Sequence, residues 1–271
     1  MTSSLPTDFL GRIIYLITNY GSSFLRGAGV TIAIAVVGTV IGCLIGFVVG
    51  ITQTIPIHAN DSKLKKFLLK IVNAILKIYV EVFRGTPMIV QAMFIYYGAL
   101  MYLQISMGMW IAAFFIVSIN TGAYMAETVR GGIISVDLGQ TEGAKAIGMN
   151  HFQTMLYVVF PQTLRNIIPQ IGNNLIINIK DSSVLSVIGT VELFYAAKQT
   201  AGAFYWYFES MTVAMLVYLA MTLITSFLLR KWEKKLDGAA SFDLATTDTL
   251  AHTSGLLRGP TRRNGGHRHG R

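Results

Sequence analysis

Long runs without a charged side chain alternate with short charged segments along the chain. Four windows contain no Asp, Glu, Lys or Arg: residues 27–60, 85–126, 146–164 and 211–229. Because about 20 mostly apolar helical residues cross ~30 Å of hydrocarbon, each window is long enough for at least one membrane-spanning helix. The second window is long enough for the end of one helix, a tight turn near Gln104–Gly108 and a complete second helix.

These windows predict an all-α, polytopic membrane protein with five membrane-spanning helices. The approximate bounds of the spans are 25–51, 66–103, 107–130, 152–179 and 205–230. Residues 1–24 lack the basic beginning of a signal peptide, and we expect them to form an interfacial segment. Residues 25–235 then form the transmembrane domain. Residues 236–271 are polar and rich in Gly, Thr and Arg, so we expect a disordered cytoplasmic tail.

Composition excludes most other classes of protein. Charged residues make up 13% of the 271-residue chain and hydrophobic residues 53%, whereas a soluble globular protein is about 25% charged. Cys43 is the single cysteine, which excludes a disulfide framework and a thiolate metal cluster. His58 and His151 are isolated, and the sequence has no clustered carboxylates and no nucleophile–base pair. We therefore predict neither a catalytic nor a metal site.

The distribution of Lys and Arg predicts the orientation of the chain. If the N-terminus lies outside, the cytoplasmic segments hold 18 basic residues and the outer segments hold 4. The cytoplasmic segments are then 52–84, 130–165 and 230–271. This excess agrees with the positive-inside rule, so the net charge of +9 reflects membrane topology rather than a surface for nucleic acid.

Glycines and prolines mark special positions within the spans. Gly38, Gly42, Gly46 and Gly50 lie four residues apart in the first span and therefore share one helix face. Small residues at this spacing let another backbone approach closely, so we predict a packing surface rather than a binding site. We also expect kinks at the prolines inside spans, which are Pro87, Pro161 and Pro169.

Polar side chains form two stripes inside the predicted spans. In the third span, Asn120, Tyr124 and Glu127 are spaced four and three residues apart, so they share a helix face. The stripe of the fourth span comprises Asn166, Gln170, Asn174, Asn178 and Asp181, with Asn173 beside it. Because an unsatisfied polar group in hydrocarbon costs several kcal/mol, these side chains must face the interior or water. They either line a pathway or form hydrogen bonds between helices.

The segment after the fourth span is too short to cross the membrane. It comprises Lys180, Asp181, Ser182 and Ser183, the apolar stretch 184–189, and Glu192. We predict a re-entrant or surface-hugging loop at the outer mouth of a pathway.

One long cytoplasmic loop, residues 130–151, separates the third span from the fourth. Gly143 and Ala144 follow Glu142, and Gly148 comes four residues after Ala144. The small residues predict a short, slim helix with an exposed carboxylate, and Gly148 is a typical end for it. A slim helix that projects into the cytoplasm is well shaped to dock in a groove of a partner protein.

This loop resembles the signature of permease subunits of ATP-binding-cassette importers. The family pattern is Glu-Ala-Ala, three residues, Gly, nine residues, Ile, any residue, Leu-Pro. The matching residues here are Glu142, Gly143, Ala144, Gly148, Val158, Phe160 and Pro161, with every spacing preserved. Gly replaces the first Ala, Val replaces Ile and Phe replaces Leu, so each position stays small or apolar.

The closer resemblance is to the polar amino-acid permeases, the histidine/glutamine group. Residues 83–87 read Phe-Arg-Gly-Thr-Pro, as in that group, and Gln91 follows. Further matching segments are 127–133, 139–140, 161–162 and 180–184, together with Pro169, Asn173 and Glu192. The motifs fall in the order of the family, and the resemblance covers residues 25–235.

The resemblance implies a dimer of permease subunits, identical or closely related, in the bacterial cell membrane. Two ATPase subunits would dock on the cytoplasmic side, and an extracytoplasmic binding protein would deliver an amino acid. The implied ATPase-coupling residues are Gln140, Glu142, Gly143, Ala144 and Gly148. The chain has no Gly-x-x-x-x-Gly-Lys-Ser/Thr motif, so it is expected to be no enzyme and to hold no cofactor. ATP and Mg²⁺ would be used by the partner ATPases.

An amino-acid substrate is zwitterionic, so its passage must offer donors to a carboxylate and acceptors to an ammonium group. The candidate pathway residues are Gln91, Asn120, Tyr124, Glu127, Asn173, Asn174 and Asn178. The candidates at the outer mouth are Lys180, Asp181, Ser182, Ser183 and Glu192.

Two other functions stay open at the level of sequence. A stand-alone secondary transporter or channel would carry an inverted repeat or paired broken helices, and the sequence shows no such internal repeat. A permease of the same class could also carry a small solute other than an amino acid.

Overall fold

The computed structural model describes residues 5–57 and 61–237, and all the secondary structure within them is helical. The α-helices are α1 (Phe9–Gln53), α2 (Lys63–Gly85), α3 (Met88–Leu103), α4 (Met109–Ile134), α5 (Leu138–Ala146), α6 (His151–Thr154), α7 (Phe160–Asp181), α8 (Leu193–Phe204) and α9 (Tyr207–Asp237). A π-helical turn at Met155–Val159 joins α6 to α7, and a 3-10 helix at Ser182–Ile188 follows α7. The all-α prediction is confirmed. His58 and residues 238–271 of the predicted tail lie outside the described residues.

Three of the described helices are long and apolar enough to cross a membrane: Phe9–Gln53, Met109–Ile134 and Tyr207–Glu233. α3 is apolar but has only 16 residues. α7 is not among the three, because the polar stripe lowers its hydropathy. That the chain crosses the membrane five times therefore stays a prediction.

α1 is one helix of 45 residues, so the first span and most of the predicted interfacial segment form a single element. Asp8 caps the helix, because the Gly11 N–H donates to its carboxylate at 2.7 Å. The helix begins at Phe9 rather than near residue 25, since residues 9–24 contain no proline that would end it.

The glycine stripe of α1 packs directly on α4, which confirms the predicted packing surface. A Cβ atom added at Gly46 would lie 2.3 Å from Met125 Cβ, and one added at Gly38 would lie 2.4 Å from Val117 Cγ1. Real Cβ atoms do not approach other atoms so closely, so only glycine allows this distance between the two helices.

The predicted second span is not one helix but two, α2 and α3, which meet at Thr86 and Pro87. Thr86 has an extended backbone with φ −122° and ψ 147°, and Pro87 precedes α3 with ψ 136°. A proline disfavours helical backbone in the residue before it and has no N–H to donate to the carbonyl four residues back. The prediction of a kinked but continuous helix over 66–103 is therefore wrong.

The turn after α3 lies where the sequence predicts it. α3 ends at Leu103, and Gln104 adopts a left-handed backbone with φ 54°. Gly108 precedes the first residue of α4, Met109. The tight turn predicted near Gln104–Gly108 is confirmed.

The predicted fourth span continues from α6 through the π-helical turn into α7. At this turn the Phe160 N–H donates to the carbonyl of Met155, five residues back. Pro161 follows, and its missing N–H removes one regular helical bond, which the wider turn accommodates. Pro169 lies inside α7 without ending it.

The segment after α7 is a buried 3-10 helix, and its predicted place as a re-entrant or surface-hugging segment at the outer mouth stays a prediction. Ser182, Leu185 and Ile188 are buried at a spacing of three, which is the period of a 3-10 helix, so they share its inward face. Leu185 and Ile188 pack in a cluster with α1, α3 and α4. The sequence pattern also missed α8, which begins directly after Glu192.

α8 and the beginning of α9 pack on the first part of α1. Leu16 and Phe24 on α1 share a buried cluster with Leu193 on α8. Arg12 on α1 donates to the carboxylate of Glu209 on α9 at 2.9 Å. These contacts hold α1 against α8 and α9 over its first four turns.

We predict that Gly46→Ala destabilises the protein, because the new Cβ would overlap Met125 on α4. Overpacking of this kind costs roughly 1–3 kcal/mol. Thermal unfolding of the purified protein in detergent measures the loss as a lower midpoint. Gly29→Ala on the same helix is the control, since a Cβ there meets no atom within 4 Å. Equal midpoints for the two variants would contradict the packing role of Gly46.

Candidate functional site

Two of the candidate pathway residues, Gln91 and Asn120, are buried at the break between α2 and α3. Gln91 Nε2 lies 2.9 Å from each of three acceptors, which are Phe83 O, Thr86 O and Thr86 Oγ1. Asn120 Nδ2 donates to Gln91 Oε1 at 2.9 Å and to Phe83 O at 3.2 Å. The two amides thus bond to each other and to the backbone where α2 ends.

A charged cluster lies beside this break. Arg84, in the last turn of α2, forms an ion pair with the carboxylate of Glu127 on α4. Its Cζ atom lies 5.6 Å from the centroid of the Tyr124 ring, which is a cation–π contact. All three side chains are exposed on the surface of the chain. A ligand can therefore reach both a positive and a negative group here.

Asn178 and Asn174 on α7 are buried and bonded to neighbouring helices. Asn178 Nδ2 donates to Thr39 Oγ1 on α1 at 2.8 Å and to Thr121 Oγ1 on α4 at 3.0 Å. Asn174 Nδ2 lies 3.3 Å from Met125 Sδ on α4, and it also donates to a carbonyl of its own helix at 2.9 Å. Both amides thus contact neighbouring helices, which is one of the two roles that the sequence leaves open for the stripe.

The other amide side chains of α7 are more accessible than those of Asn174 and Asn178. Asn166 and Gln170 are exposed, and Asn173 is half-buried. The polar stripe therefore divides into a buried part that joins helices and an accessible part.

The residues predicted at the outer mouth lie at the end of α7 and in the 3-10 helix. Lys180 is exposed and Asp181 is half-buried. Ser182 is buried and Ser183 is half-buried, and their hydroxyl groups donate to carbonyls of α7 at 3.0 and 2.8 Å. Lys180 is the one exposed residue among these four.

Glu192, the fifth of these candidates, is completely buried. Its carboxylate accepts from the backbone N–H groups of Phe194 and Tyr195 at 2.8 and 2.7 Å. The hydroxyl group of Tyr218 on α9 donates to it at 2.7 Å. A carboxylate at this position caps α8 and offsets the partial positive charge of the helix beginning. In this structure Glu192 ties α8 to α9.

The short helix predicted in the cytoplasmic loop is present as α5. Asp137 caps its beginning, because the Gly139 N–H donates to Asp137 Oδ1 at 2.6 Å. Gly148 follows its end with a left-handed backbone, φ 86°. Glycine adopts this conformation without the steric cost of a side chain, so Gly148 has the role expected of it.

The candidate coupling residues lie on and around α5. Gln140 and Glu142 are exposed, whereas Ala144 is the buried residue of α5, a helix that contacts α6 and the π-helical turn. A Cβ added at Gly143 would meet no atom within 4 Å. Gly143, which replaces the first Ala of the family pattern, therefore leaves no packing gap within the described structure.

Three residues at these candidate sites are not among those that the sequence predicts. Arg84 belongs to the Phe-Arg-Gly-Thr-Pro segment, but only the fold brings it to Glu127. Leu138 and Ile147 are 76% and 79% exposed at the two ends of α5. Large exposed apolar residues in a polar loop favour docking of a partner, and the sequence already carried this signal.

The chain matches a family model described as the inner membrane component of binding-protein-dependent transport systems, over residues 64–238. This region contains the break, the charged cluster, α5 and the polar stripe. The chain is also similar to the glutamine transport system permease protein GlnP of Escherichia coli (strain K12), with 36% identity over 61% of this chain and 76% of GlnP. The arginine transport system permease protein ArtQ of Bacillus subtilis (strain 168) is 37% identical over 58% of this chain and 72% of ArtQ.

Two solved structures resemble this one over most of their length. A crystal structure of an amino acid ABC transporter with histidines is 33% identical and has a TM-score of 0.72, covering 85% of this chain and 99% of the other. An inward-facing structure of the MetNI methionine ABC transporter shares the fold, with a TM-score of 0.62 at 19% identity over 79% of this chain and 95% of the other.

We predict that Asn178→Leu lowers the stability of the protein, because it leaves the hydroxyl groups of Thr39 and Thr121 without their amide partner. A buried polar group left unsatisfied costs about 1–3 kcal/mol. Thermal unfolding in detergent measures the loss. Asn166→Leu is the matched control, since that exposed amide makes only a 3.4 Å contact with Ser135 Oγ. If both variants unfold at the wild-type temperature, Asn178 does not hold the helices together.

Proposed function

The chain belongs to the family of inner membrane components of binding-protein-dependent transport systems, and we propose that it is the permease subunit of an ATP-binding-cassette importer for polar amino acids. The observation that carries the proposal is the family match over residues 64–238, which include both α5 and the Arg84–Glu127 pair. In this function the chain provides the passage, and ATP hydrolysis in separate subunits drives transport.

The proposed topology has five crossings of the bacterial cell membrane, with the N-terminus outside and the C-terminus in the cytoplasm. α1, α4, α7 and α9 each cross once, and α2 and α3 together form the second crossing. A second permease subunit, identical or related, completes the passage. Two ATPase subunits that use ATP and Mg²⁺ bind on the cytoplasmic side, and an extracytoplasmic binding protein delivers the amino acid.

The Arg84–Glu127 pair suits a zwitterionic substrate. The guanidinium group of Arg84 offers paired donors to a carboxylate, and the carboxylate of Glu127 accepts from an ammonium group. A bound amino acid replaces one ion pair within the protein by two ion pairs with the ligand. The Tyr124 ring keeps the guanidinium group in place during this exchange.

Accessible residues line the proposed passage, and buried amides support it. The lining is Arg84, Tyr124, Glu127 and Asn173, each of which is exposed or half-buried on the chain. The supporting amides are Gln91, Asn120, Asn174 and Asn178, whose donors are bonded within the chain. A helix break inside a membrane is tolerated where it lines a cavity or is buried in protein, which fits a passage at the α2–α3 break.

α5 is the element that docks in a groove of the ATPase. Leu138 and Ile147 insert as apolar anchors at its two ends, and Glu142 supplies a polar contact between them. Ala144 is buried, and α5 contacts α6 and the π-helical turn, which lead directly into α7. Movement of the ATPase thus reaches the polar stripe of α7.

The two alternative functions have less support. A stand-alone transporter or channel is not favoured, because the solved structures that resemble the chain are ABC transporters. A solute that lacks either the carboxylate or the ammonium group would leave one member of the Arg84–Glu127 pair without a partner.

Affinity purification of the chain from its own host tests the proposed assembly. We expect an ATPase subunit to co-purify and the complex to hydrolyse ATP. Transport of amino acids by the lone chain in liposomes would instead support a stand-alone transporter.

We predict that Glu142→Lys uncouples ATP hydrolysis from transport, because it reverses the charge at the centre of the proposed docking face. Uptake into proteoliposomes should fall by at least about tenfold, as expected for loss of a charged contact. The ATPase activity should no longer rise with the loaded binding protein. Lys198→Glu, a charge reversal at an exposed position of α8, is the control. Wild-type transport and stimulated hydrolysis in Glu142→Lys would contradict the coupling role.

We predict that Arg84→Gln raises the KM for the amino acid about 10- to 100-fold, because a charged hydrogen bond to its carboxylate is worth about 1.5–3 kcal/mol. The measurement is the concentration dependence of uptake in the assembled transporter. Arg230→Gln, which removes an exposed arginine of α9, should leave the KM unchanged. An unchanged KM in Arg84→Gln would exclude Arg84 from the substrate site.

A further inference from the structure

We infer that Gln91 and Asn120 position Arg84 and do not themselves bind the substrate. The inference rests on the proposed function, since it assigns the two amides a role in the proposed amino-acid site. It is carried by the hydrogen bonds at the break between α2 and α3.

Pro87 creates the need for these amides. In a continuous α-helix, the N–H of residue 87 would donate to the carbonyl of Phe83, four residues back. Proline has no N–H, so the Phe83 carbonyl lacks its helical donor. The extended backbone of Thr86 likewise takes its carbonyl out of the helical pattern. Unsatisfied carbonyls inside a membrane protein cost several kcal/mol each, so other donors must replace the missing ones.

Side chains from α3 and α4 supply the missing donors. Gln91 Nε2 lies 2.9 Å from Phe83 O and from Thr86 O, and Asn120 Nδ2 lies 3.2 Å from Phe83 O. The hydroxyl group of Thr86 donates to the carbonyl of Val82 at 2.8 Å. Gln91 Oε1 accepts from Asn120 Nδ2 at 2.9 Å. Both side chains are buried and their donors are engaged, so neither amide has an N–H left for a substrate carboxylate.

The same contacts set the direction of the Arg84 side chain. Arg84 follows Phe83 in the chain, so the carbonyl that accepts from Asn120 is part of the peptide bond between Phe83 and Arg84. Asn120, Tyr124 and Glu127 share one face of α4. α4 thus binds the backbone of the last turn of α2 through Asn120 and the Arg84 guanidinium group through Tyr124 and Glu127. Release of the backbone contact would move Arg84 away from the other two.

The variant Gln91→Glu separates positioning from direct contact with the substrate. Its side chain has nearly the same size but offers at most one O–H donor in place of two N–H donors, so it cannot donate to the carbonyls of both Phe83 and Thr86. We expect the KM for the amino acid to rise about tenfold or more, as much as in Gln91→Leu. If Gln91 accepted from the ammonium group of the substrate, Gln91→Glu would keep or lower the KM, and that result would overturn the inference.

A distance across the break provides a measurement that does not depend on transport. Cys43 is the single cysteine, so a Cys43→Ala background can carry spin labels at the exposed positions Ile78→Cys on α2 and Met101→Cys on α3. Electron paramagnetic resonance on the assembled transporter, with labelled chain diluted by unlabelled chain, gives the distance between the labels. We expect one narrow distribution in the parent and a broader or shifted one with Gln91→Glu. An unchanged distribution would overturn the inference even if transport were impaired.

Two further variants make the result specific. Asn166→Leu is the matched control, because this exposed amide of α7 contacts Ser135 and no residue of the break, so the distance should stay unchanged. In an Arg84→Gln background, Gln91→Glu should change the KM little further, since positioning acts through Arg84. If the two substitutions raise the KM independently and additively, Gln91 does not act through Arg84.

The outcomes also separate this inference from the proposed function. If Arg84→Gln leaves the KM unchanged, the proposed substrate site is wrong, whatever the distance across the break shows. If Arg84→Gln raises the KM but Gln91→Glu changes neither the KM nor the distance, the substrate site stands and the positioning role is wrong.

Discussion

The close packing of α1 on α4 is the contact on which the rest of the structure depends. Glycines on α1 bring the two backbones so near that a Cβ on either Gly38 or Gly46 would overlap α4. With α4 fixed in this way, its Thr121 bonds to Asn178 on α7, and its Asn120 and Glu127 meet the end of α2. One helix therefore sets both the packing of the bundle and the geometry of the proposed substrate site.

The second constraint is that polar groups in an apolar environment need partners within the protein. Where helical hydrogen bonding is interrupted, side chains bond to the free backbone groups. Gln91 does so after α2, and Glu192 does so at the beginning of α8. A polar residue in an apolar span can thus belong to the framework or to the function. Exposure within the fold is the basis on which we assign the buried Asn178 to the framework and propose the accessible Glu127 for the function.

Features with local signals could be predicted from the sequence, and features that depend on distant partners could not. The glycine face, the turn near Gln104–Gly108 and the helix ended by Gly148 each follow from the spacing of a few neighbouring residues. Pro87 indicated an interruption, but a complete break requires donors from α3 and α4 that no local pattern reveals. The burial of Glu192 and the pairing of Arg84 with Glu127 likewise depend on contacts between separate helices.

The most direct test of this account is uptake of a labelled polar amino acid into proteoliposomes that contain the chain, its ATPase partners and, on the outside, the binding protein. The account predicts accumulation against a gradient that requires enclosed ATP and is lost when Arg84 and Glu127 are both replaced by Gln. Accumulation without ATP, or unchanged uptake after both replacements, would contradict it.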